Sequence, residues 1–198
     1  MAGCGMPLGE SQLPALTTSR LCLRWIEERD ADALFEVFSD PQVMRYWSAP
    51  PWQDRAAARR LIDGVREGFG RGDLLQWGIA GIEDDRLLGT CTLAQVDRTH
   101  RRAELGFALG SAHWGHGHAS EAVARLLSFG FEELNLHRVE ADIDPRNQKS
   151  ISLIERLGFR REGYLRERWH VNGEVCDSLI YGLLRSEWTG ARAGSSAG

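Results

Sequence analysis

No run of the 198-residue sequence approaches the ~18 consecutive apolar residues that a membrane span needs, so no membrane contact is expected. The opening stretch MAGCGMPLGESQLP carries neither the basic nor the apolar region of a signal peptide, and a cytoplasmic protein is the expectation. Cysteine is sparse: Cys4, Cys22, Cys91 and Cys176 are scattered without a Cys-x-x-Cys pair. That spacing excludes a zinc ribbon and a dithiol redox motif, and reduced buried thiols are the default. An excess of basic residues is missing too. With 24 Lys+Arg against 28 Asp+Glu the formal net charge is -4, whereas nonspecific nucleic-acid binding draws on a basic face. No nucleic-acid partner is expected, and the acidic balance suits either a cationic acceptor or simply a soluble surface. A Walker Gly-Lys-Ser/Thr is absent, as are a partner lysine and a clear Mg²⁺ carboxylate set for phosphoryl chemistry.

The apolar residues that are present make up 42% of the chain beside 26% charged, ordinary for one soluble domain with a substantial core. Residues 1–14 and 189–198 are rich in Gly, Ala and Ser and read as flexible ends around a single domain at 15–188. A strand is expected near Leu21 to Glu27. Asp30 then suits the cap of a helix carrying Leu34, Val37 and Phe38 on one face, ended by Pro41. Ala58, Leu61, Ile62, Val65 and Phe69 mark a second helix, terminated by Gly68, Gly70 and Gly72. Strand-like runs follow at Leu75 to Ile82, Leu87 to Val96 and Arg101 to Leu109, an antiparallel meander. A helix with Ala122, Val123, Leu126 and Leu127 precedes a strand at Arg138 to Ile143 and a helix at Asn147 to Leu157. Asn172-Gly173 between two strand-like runs signals a hairpin, because both turn positions accept positive φ. The order is that of a mixed sheet with helices, an α/β (α+β) fold.

Between the third of those strands and its helix, GSAHWGHGH makes a glycine-rich bend. A helix start offers unpaired N–H groups and the positive end of the helix dipole, so it can hold a phosphate by main chain alone. Gly115 and Gly117 lack the Cβ atoms that would keep a pyrophosphate away, which makes the bend a candidate phosphate cradle as well as an ordinary turn. A dinucleotide fingerprint would need a further glycine at Ser120.

The resemblance becomes specific downstream. Trp114-Gly115-His116-Gly117-His118-Ala119, followed by Asp144-Pro145-Arg146-Asn147-Gln148-Lys149-Ser150 and Leu157-Gly158-Phe159, is similar to the GNAT superfamily of acetyl-CoA-dependent N-acetyltransferases. LTTSRLCLRWIEERDADALFEVFSDPQVMRY, from Leu16 to Tyr46, resembles the opening of the Rim-type branch, the ribosomal-protein N-terminal acetyltransferases with their spermidine- and antibiotic-acetylating relatives. The likeness spans about Leu16 to Trp188. Trp114 departs from the Gln or Arg of the broad superfamily, but tryptophan there is familiar in the Rim-like branch.

The resemblance implies a mostly antiparallel sheet with a splayed strand pair. It places Phe107, Ala108 and Leu109 beside the pantetheine arm of acetyl-CoA, and Trp114 with Gly115 to Ala119 at the pyrophosphate. Asn147 and Ser150 would lie farther along the cofactor, although Asn147 also reads as an N-cap and Ser150 as a plain early-helix polar residue. Acetyl transfer has to find the amine unprotonated. At neutral pH that costs about 4 kcal/mol for a lysine-like amine but only about 1 kcal/mol for an α-amine. Glu104, on the splayed strand, is the expected base, with orientation of the amine or pairing with a cation as its other reading. Ser150 leads as proton donor to the departing thiolate, and Tyr164 is the reserve, although a strand tyrosine commonly just packs. Direct transfer is favoured over a covalent route through Cys91 or Cys176, and no metal is expected at His113, His116 and His118. The loop with Tyr46, Trp47 and Trp52 is expected to overhang the acceptor, with Trp169 and Asp177 as further candidates. Both tryptophans read equally well as core anchors. The acceptor implied is a primary amine, foremost a protein N-terminus and next a small polyamine or amine antibiotic; a catalytically silent acyl-CoA-binding module is the rival reading, and a homodimer is compatible with the resemblance.

Overall fold

The computed structural model describes residues 12–190, so the ends read as flexible, 1–14 and 189–198, lie largely outside the described residues. The chain opens with β1 (Leu16–Thr17) and β2 (Leu21–Arg24), followed by α1 (Ala31–Ser39), α2 (Pro41–Met44) and α3 (Ala56–Arg71). A meander of β3 (Leu74–Gly81), β4 (Leu87–Asp97) and β5 (Arg102–Leu109) leads into α4 (His118–Glu132) and β6 (Arg138–Ile143). The chain then closes with α5 (Gln148–Arg156) and the hairpin of β7 (Arg160–Val171) and β8 (Glu174–Leu184). The eight strands of the described residues form one sheet in the order β1-β2-β3-β4-β5-β6-β8-β7, antiparallel except for the β5–β6 pair. Among the described residues no helix is long and apolar enough to cross a membrane.

Successive strand residues point to opposite faces, and this alternation divides the core in two. On β4, Leu87 joins the cluster of Leu34, Val37, Phe38, Ile62 and Val65 from α1 and α3. Its neighbour Leu88 joins the cluster of Ala122, Val123, Leu126 and Leu127 from α4. Ala108 and Leu109 split in the same way on β5. The two strands approach so closely there that a Cβ on Gly89 would lie 2.0 Å from the Ala108 carbonyl oxygen.

The feature that shapes the site is the brevity of the β5–β6 pairing. It covers only Arg102 with Arg138, Ala103 with Val139 and Glu104 with Glu140. Beyond Glu104, β5 stays paired with β4 as far as Leu109, while β6 stays paired with β8 as far as Ile143. The two halves of the sheet therefore fork at Glu104, the splay that the resemblance implied.

Local chemistry departs from the sequence reading in the first third of the chain. Asp30 stands at the start of α1 but makes no side-chain cap. Only 4% exposed, it accepts from the Arg24 guanidinium at 2.8 and 2.9 Å and from the Glu27 N–H at 2.8 Å. Pro41 ends one helix and occupies the first turn of the next, where Asp40 caps the Gln42 N–H at 2.8 Å. Gly68 lies inside α3, where a Cβ would meet Leu74 at 2.6 Å, and Gly72, at φ +78°, is the residue that ends the helix. Removing the buried carboxylate would leave Arg24 with Asp85 as its remaining ion-pair partner among the described residues, beside the Trp25 carbonyl. Asp30→Ala is expected to lower unfolding free energy by about 2–3 kcal/mol, read as a shift in urea midpoint.

Candidate active site

A cleft of about 450 Å³ opens where β5 and β6 part. Glu104, Gly106 and Phe107 form one wall, and Ala141 to Asp144 on and after β6 form the opposite one. The start of α5 adds Asn147 and Ser150; the segment after α2 adds Arg45, Tyr46 and Trp47; the terminal hairpin adds Trp169, Cys176 and Asp177. Residues from five regions of the chain thus meet in one space, and Tyr46, Trp47, Glu104, Phe107, Asn147, Ser150, Trp169 and Asp177 are those among them that the sequence singled out.

Glu104 sits at the fork itself. Its Oε2 accepts from Gln95 Nε2 at 2.8 Å. Burial raises its pKa above the usual carboxylate value, helped by the negative charges of Asp142 and Glu140 and opposed by Arg168. A carboxylate so placed is a better proton acceptor than one on the open surface.

Asn147 does cap α5, its side chain accepting from the Ser150 N–H at 3.2 Å, and its place on the cleft wall is compatible with a second role. Ser150 also lines the cleft. Tyr164 does not: it is exposed on β7, and its hydroxyl donates to Asp177 Oδ2, which raises the phenol pKa. Asp177 Oδ1 accepts from the Glu167 N–H at 2.7 Å, where Glu167 has φ +53° at an irregularity in β7. Asp177 thereby fixes the strand beside the cleft. Trp169, on the same strand, donates from Nε1 to Ser178 Oγ at 3.1 Å.

The two loop tryptophans separate. Trp47 lines the cleft and meets Phe38 edge-on, with ring centroids 5.7 Å apart. Trp52 stays off the wall, its ring stacked on Phe38 at 4.8 Å and its backbone N–H donating to the Phe38 carbonyl at 2.9 Å. Trp47→Ala is expected to raise the acceptor KM about tenfold without changing acetyl-CoA affinity. Trp52→Ala is expected to cost about 3 kcal/mol of stability instead, measurable by denaturant unfolding of both proteins.

Arg146, quoted in the sequence only as part of a motif, turns out to be a hub. It donates to Asp144 Oδ2 at 2.6 Å, to Glu174, and to Cys176 Sγ at 3.3 Å, and its guanidinium lies 5.7 Å from the Tyr46 ring centroid. Burial works against the Asp144 carboxylate, but the bonds from Arg146 outweigh it and lower the pKa. Sequence spacing could have suggested the Asp144 contact, two residues away, but not those to Tyr46 and Glu174. Cys176 is half-buried at this hub and Cys22 is also half-buried. Cys91 alone among the described cysteines meets the expectation of a buried thiol, with its pKa pushed up by desolvation, and Cys4 lies outside the described residues.

The glycine bend lies beyond the end of β5. Gly115 has φ +82°, Gly117 has φ +78° and precedes α4, and a Cβ on Gly115 would meet nothing within 4 Å. Arg20 braces the bend, donating to the His116 carbonyl at 2.8 Å and pairing with Glu121 of α4 at 2.6 Å. With that carbonyl turned to Arg20, the bend and the fifteen-residue helix behind it suit an anion. Gly115 leaves room there for a phosphate-sized anion. His118 Nδ1 is buried without a partner, and burial followed by the Arg20 charge lowers the His118 pKa. His116 and His118 lie 5.8 Å apart, Ala119 packs against the core, and no group of three or more His, Cys, Asp or Glu among the described residues is arranged to hold a metal. Trp114 donates from Nε1 to the Leu109 carbonyl at 2.8 Å and lies under Lys149 Nζ, 4.5 Å from its centroid. It ties the end of β5 to the bend, while Ala108 and Leu109 are buried in the two core clusters.

The family description "Acetyltransferase (GNAT) domain" matches residues 20–160. An uncharacterized N-acetyltransferase p20 of Bacillus licheniformis is 39% identical over 178 residues, 90% of this chain and 100% of that protein. The [ribosomal protein uS5]-alanine N-acetyltransferase of Escherichia coli is 25% identical, covering 89% and 94% of the two chains. The crystal structure of spermidine N-acetyltransferase from Vibrio cholerae, in complex with CoA and spermine, superimposes with TM-score 0.76 at 26% identity, covering 86% and 98%. A forked mixed sheet, a braced glycine bend before α4 and a domain match over most of the chain lead to one conclusion: this protein is a GNAT N-acetyltransferase whose relatives include the Rim-type ribosomal-protein acetyltransferases.

Proposed function

We propose that the protein transfers the acetyl group of acetyl-CoA directly to a primary amine in the cytoplasm, with a protein N-terminal α-amine as the preferred acceptor. The observation that carries this reading is Glu104, raised in pKa at the fork and facing a cleft large enough for a chain terminus. The glycine bend would hold the pyrophosphate, and the strand from Leu105 to Leu109 would flank the pantetheine arm. Acetyl-CoA supplies an activated acyl carbon on a thiol leaving group. Glu104 takes the amine proton, directly or through one water, as nitrogen bonds to that carbon; Ser150 lies on the wall from which a proton could reach the sulfur as the C–S bond breaks. Trp47 and Trp169 would flank the acceptor chain, and Asp177 would hold the strand that carries Trp169. An α-amine needs only modest help, about 1 kcal/mol at neutral pH, which a single carboxylate readily supplies. The relative acting on ribosomal protein uS5 supports this choice.

Polyamines are the second reading. Asp142 and Asp177 line the same cleft as Glu104, and such walls favour a multiply charged amine. The solved relative holding spermine points the same way. Thiol release from acetyl-CoA, measured with peptides bearing free N-termini, spermidine and blocked lysine, decides between them. The highest kcat/KM is expected with the peptides. A clear preference for spermidine would favour the second reading, and cofactor binding without amine-dependent release would refute both.

A further inference from the structure

On β4 and β5 the register runs from Ala94 opposite Glu104 to Asp97 opposite Arg102. Gln95 and Val96 therefore face a single residue, Ala103, which defines a β-bulge. Gln95 adopts φ +49°, a left-handed conformation that L side chains avoid unless the surroundings impose it. The bulge is held from outside, since the Val96 N–H donates to the Asp73 carbonyl at 3.1 Å. Its result is specific: the residue across from Glu104 is an alanine with no donor, and the extra residue turns an amide toward the carboxylate at 2.8 Å.

We propose that Gln95 is a positioning residue for catalysis, its side-chain amide holding Glu104 Oε2 so that Oε1 meets the acceptor amine. This rests on the reading of Glu104 as the base. The groups around that carboxylate explain why a donor is needed. From β6, Glu140 and Asp142 oppose its charge; from β7, Arg168 favours it. Arg102, on β5 itself, is engaged with Glu140 at 3.3 Å. Arg45 reaches the cleft from the segment after α2, and α5 contributes only the uncharged Asn147 and Ser150 to this wall. A neutral donor on one oxygen supports the ionised form and selects one side-chain orientation, and it leaves the second oxygen available for the proton.

The test is the pH profile of kcat/KM for amine-dependent thiol release, recorded for wild type, Gln95→Met, Gln95→Asn and Glu104→Gln. Methionine keeps the length and removes the donor; asparagine keeps the amide but is one methylene too short. Both are expected to move the acid limb upward by about half to one pH unit and to lower kcat roughly threefold to tenfold at pH 7, with acetyl-CoA affinity and melting temperature unchanged. Loss of a purely structural contact would lower the melting temperature and leave the limb in place. If Glu104→Gln abolishes the limb while both Gln95 variants keep it at the wild-type pH, the inference is overturned and the base assignment stands. If Glu104→Gln retains the limb, the base assignment falls and the inference falls with it.

Discussion

Glu104→Gln is expected to lower kcat/KM for a lysine-like or polyamine acceptor by about 10²–10³-fold while leaving acetyl-CoA affinity intact. Glutamine preserves the volume at the fork and retains hydrogen bonding to Gln95, so the loss isolates proton transfer from packing. The effect should shrink to about tenfold for an α-amine, whose deprotonation is roughly 3 kcal/mol easier at neutral pH. This difference between acceptors identifies a base more clearly than the loss itself. A base works when ionised, and burial together with Asp142 and Glu140 raises the pKa of Glu104. Wild-type activity should therefore fall as pH drops through that raised value, and the variant should lack this limb. Wild-type turnover in the variant across the whole pH range, with every acceptor, would make Glu104 a structural residue.

Gly117→Val is expected to weaken acetyl-CoA binding by roughly tenfold to hundredfold, measured by calorimetry. The left-handed φ of +78° is strained for a β-branched residue by about 1–3 kcal/mol. The added side chain would also crowd Arg20, whose Nη2 lies 3.4 Å from the position of a Cβ. The free protein can relieve this by remodelling the bend, and binding must then restore it, so the strain appears as lost affinity. The buried core residues of α4 begin at Ala122, past the bend, and the melting temperature should change little. Unchanged affinity in the folded variant would remove the bend from the cofactor site.

Features written in local chemistry were legible before any coordinates. Asn172 and Gly173 both adopt positive φ, 51° and 81°, between two strands that pair as expected. Gly115 and Gly117 likewise carry the positive φ that a glycine bend permits, and the β6 boundaries match the sequence reading. Features that depend on distant partners were not legible. Asp30 sits where a cap belongs, yet Arg24 claims its carboxylate from a neighbouring strand. Trp47 and Trp52 are equivalent in sequence, and only the position of Phe38 between them decides which one reaches the cleft. Gln95 gave no signal at all, because a bulge follows from the register of two strands and not from the residue that occupies it. Arg146 connects chain segments more than a hundred residues apart, Tyr46 and Glu174, a relation no local pattern encodes.

The fork also places an open strand edge inside the sheet. Open strand edges usually lie at the rim of a sheet, where any neighbouring protein can dock against them. Here β5 exposes an unpaired edge beyond Glu104 in the interior, between two halves that remain fully laddered to their own outer strands. That edge faces the cleft, with Leu105, Gly106 and Phe107 on its wall. The chain thus keeps a vacant place in its hydrogen-bond ladder inside the sheet, away from the rim where neighbouring proteins dock. Slowed amide hydrogen exchange at Leu105 to Leu109 on cofactor addition would report directly that the ladder has been completed.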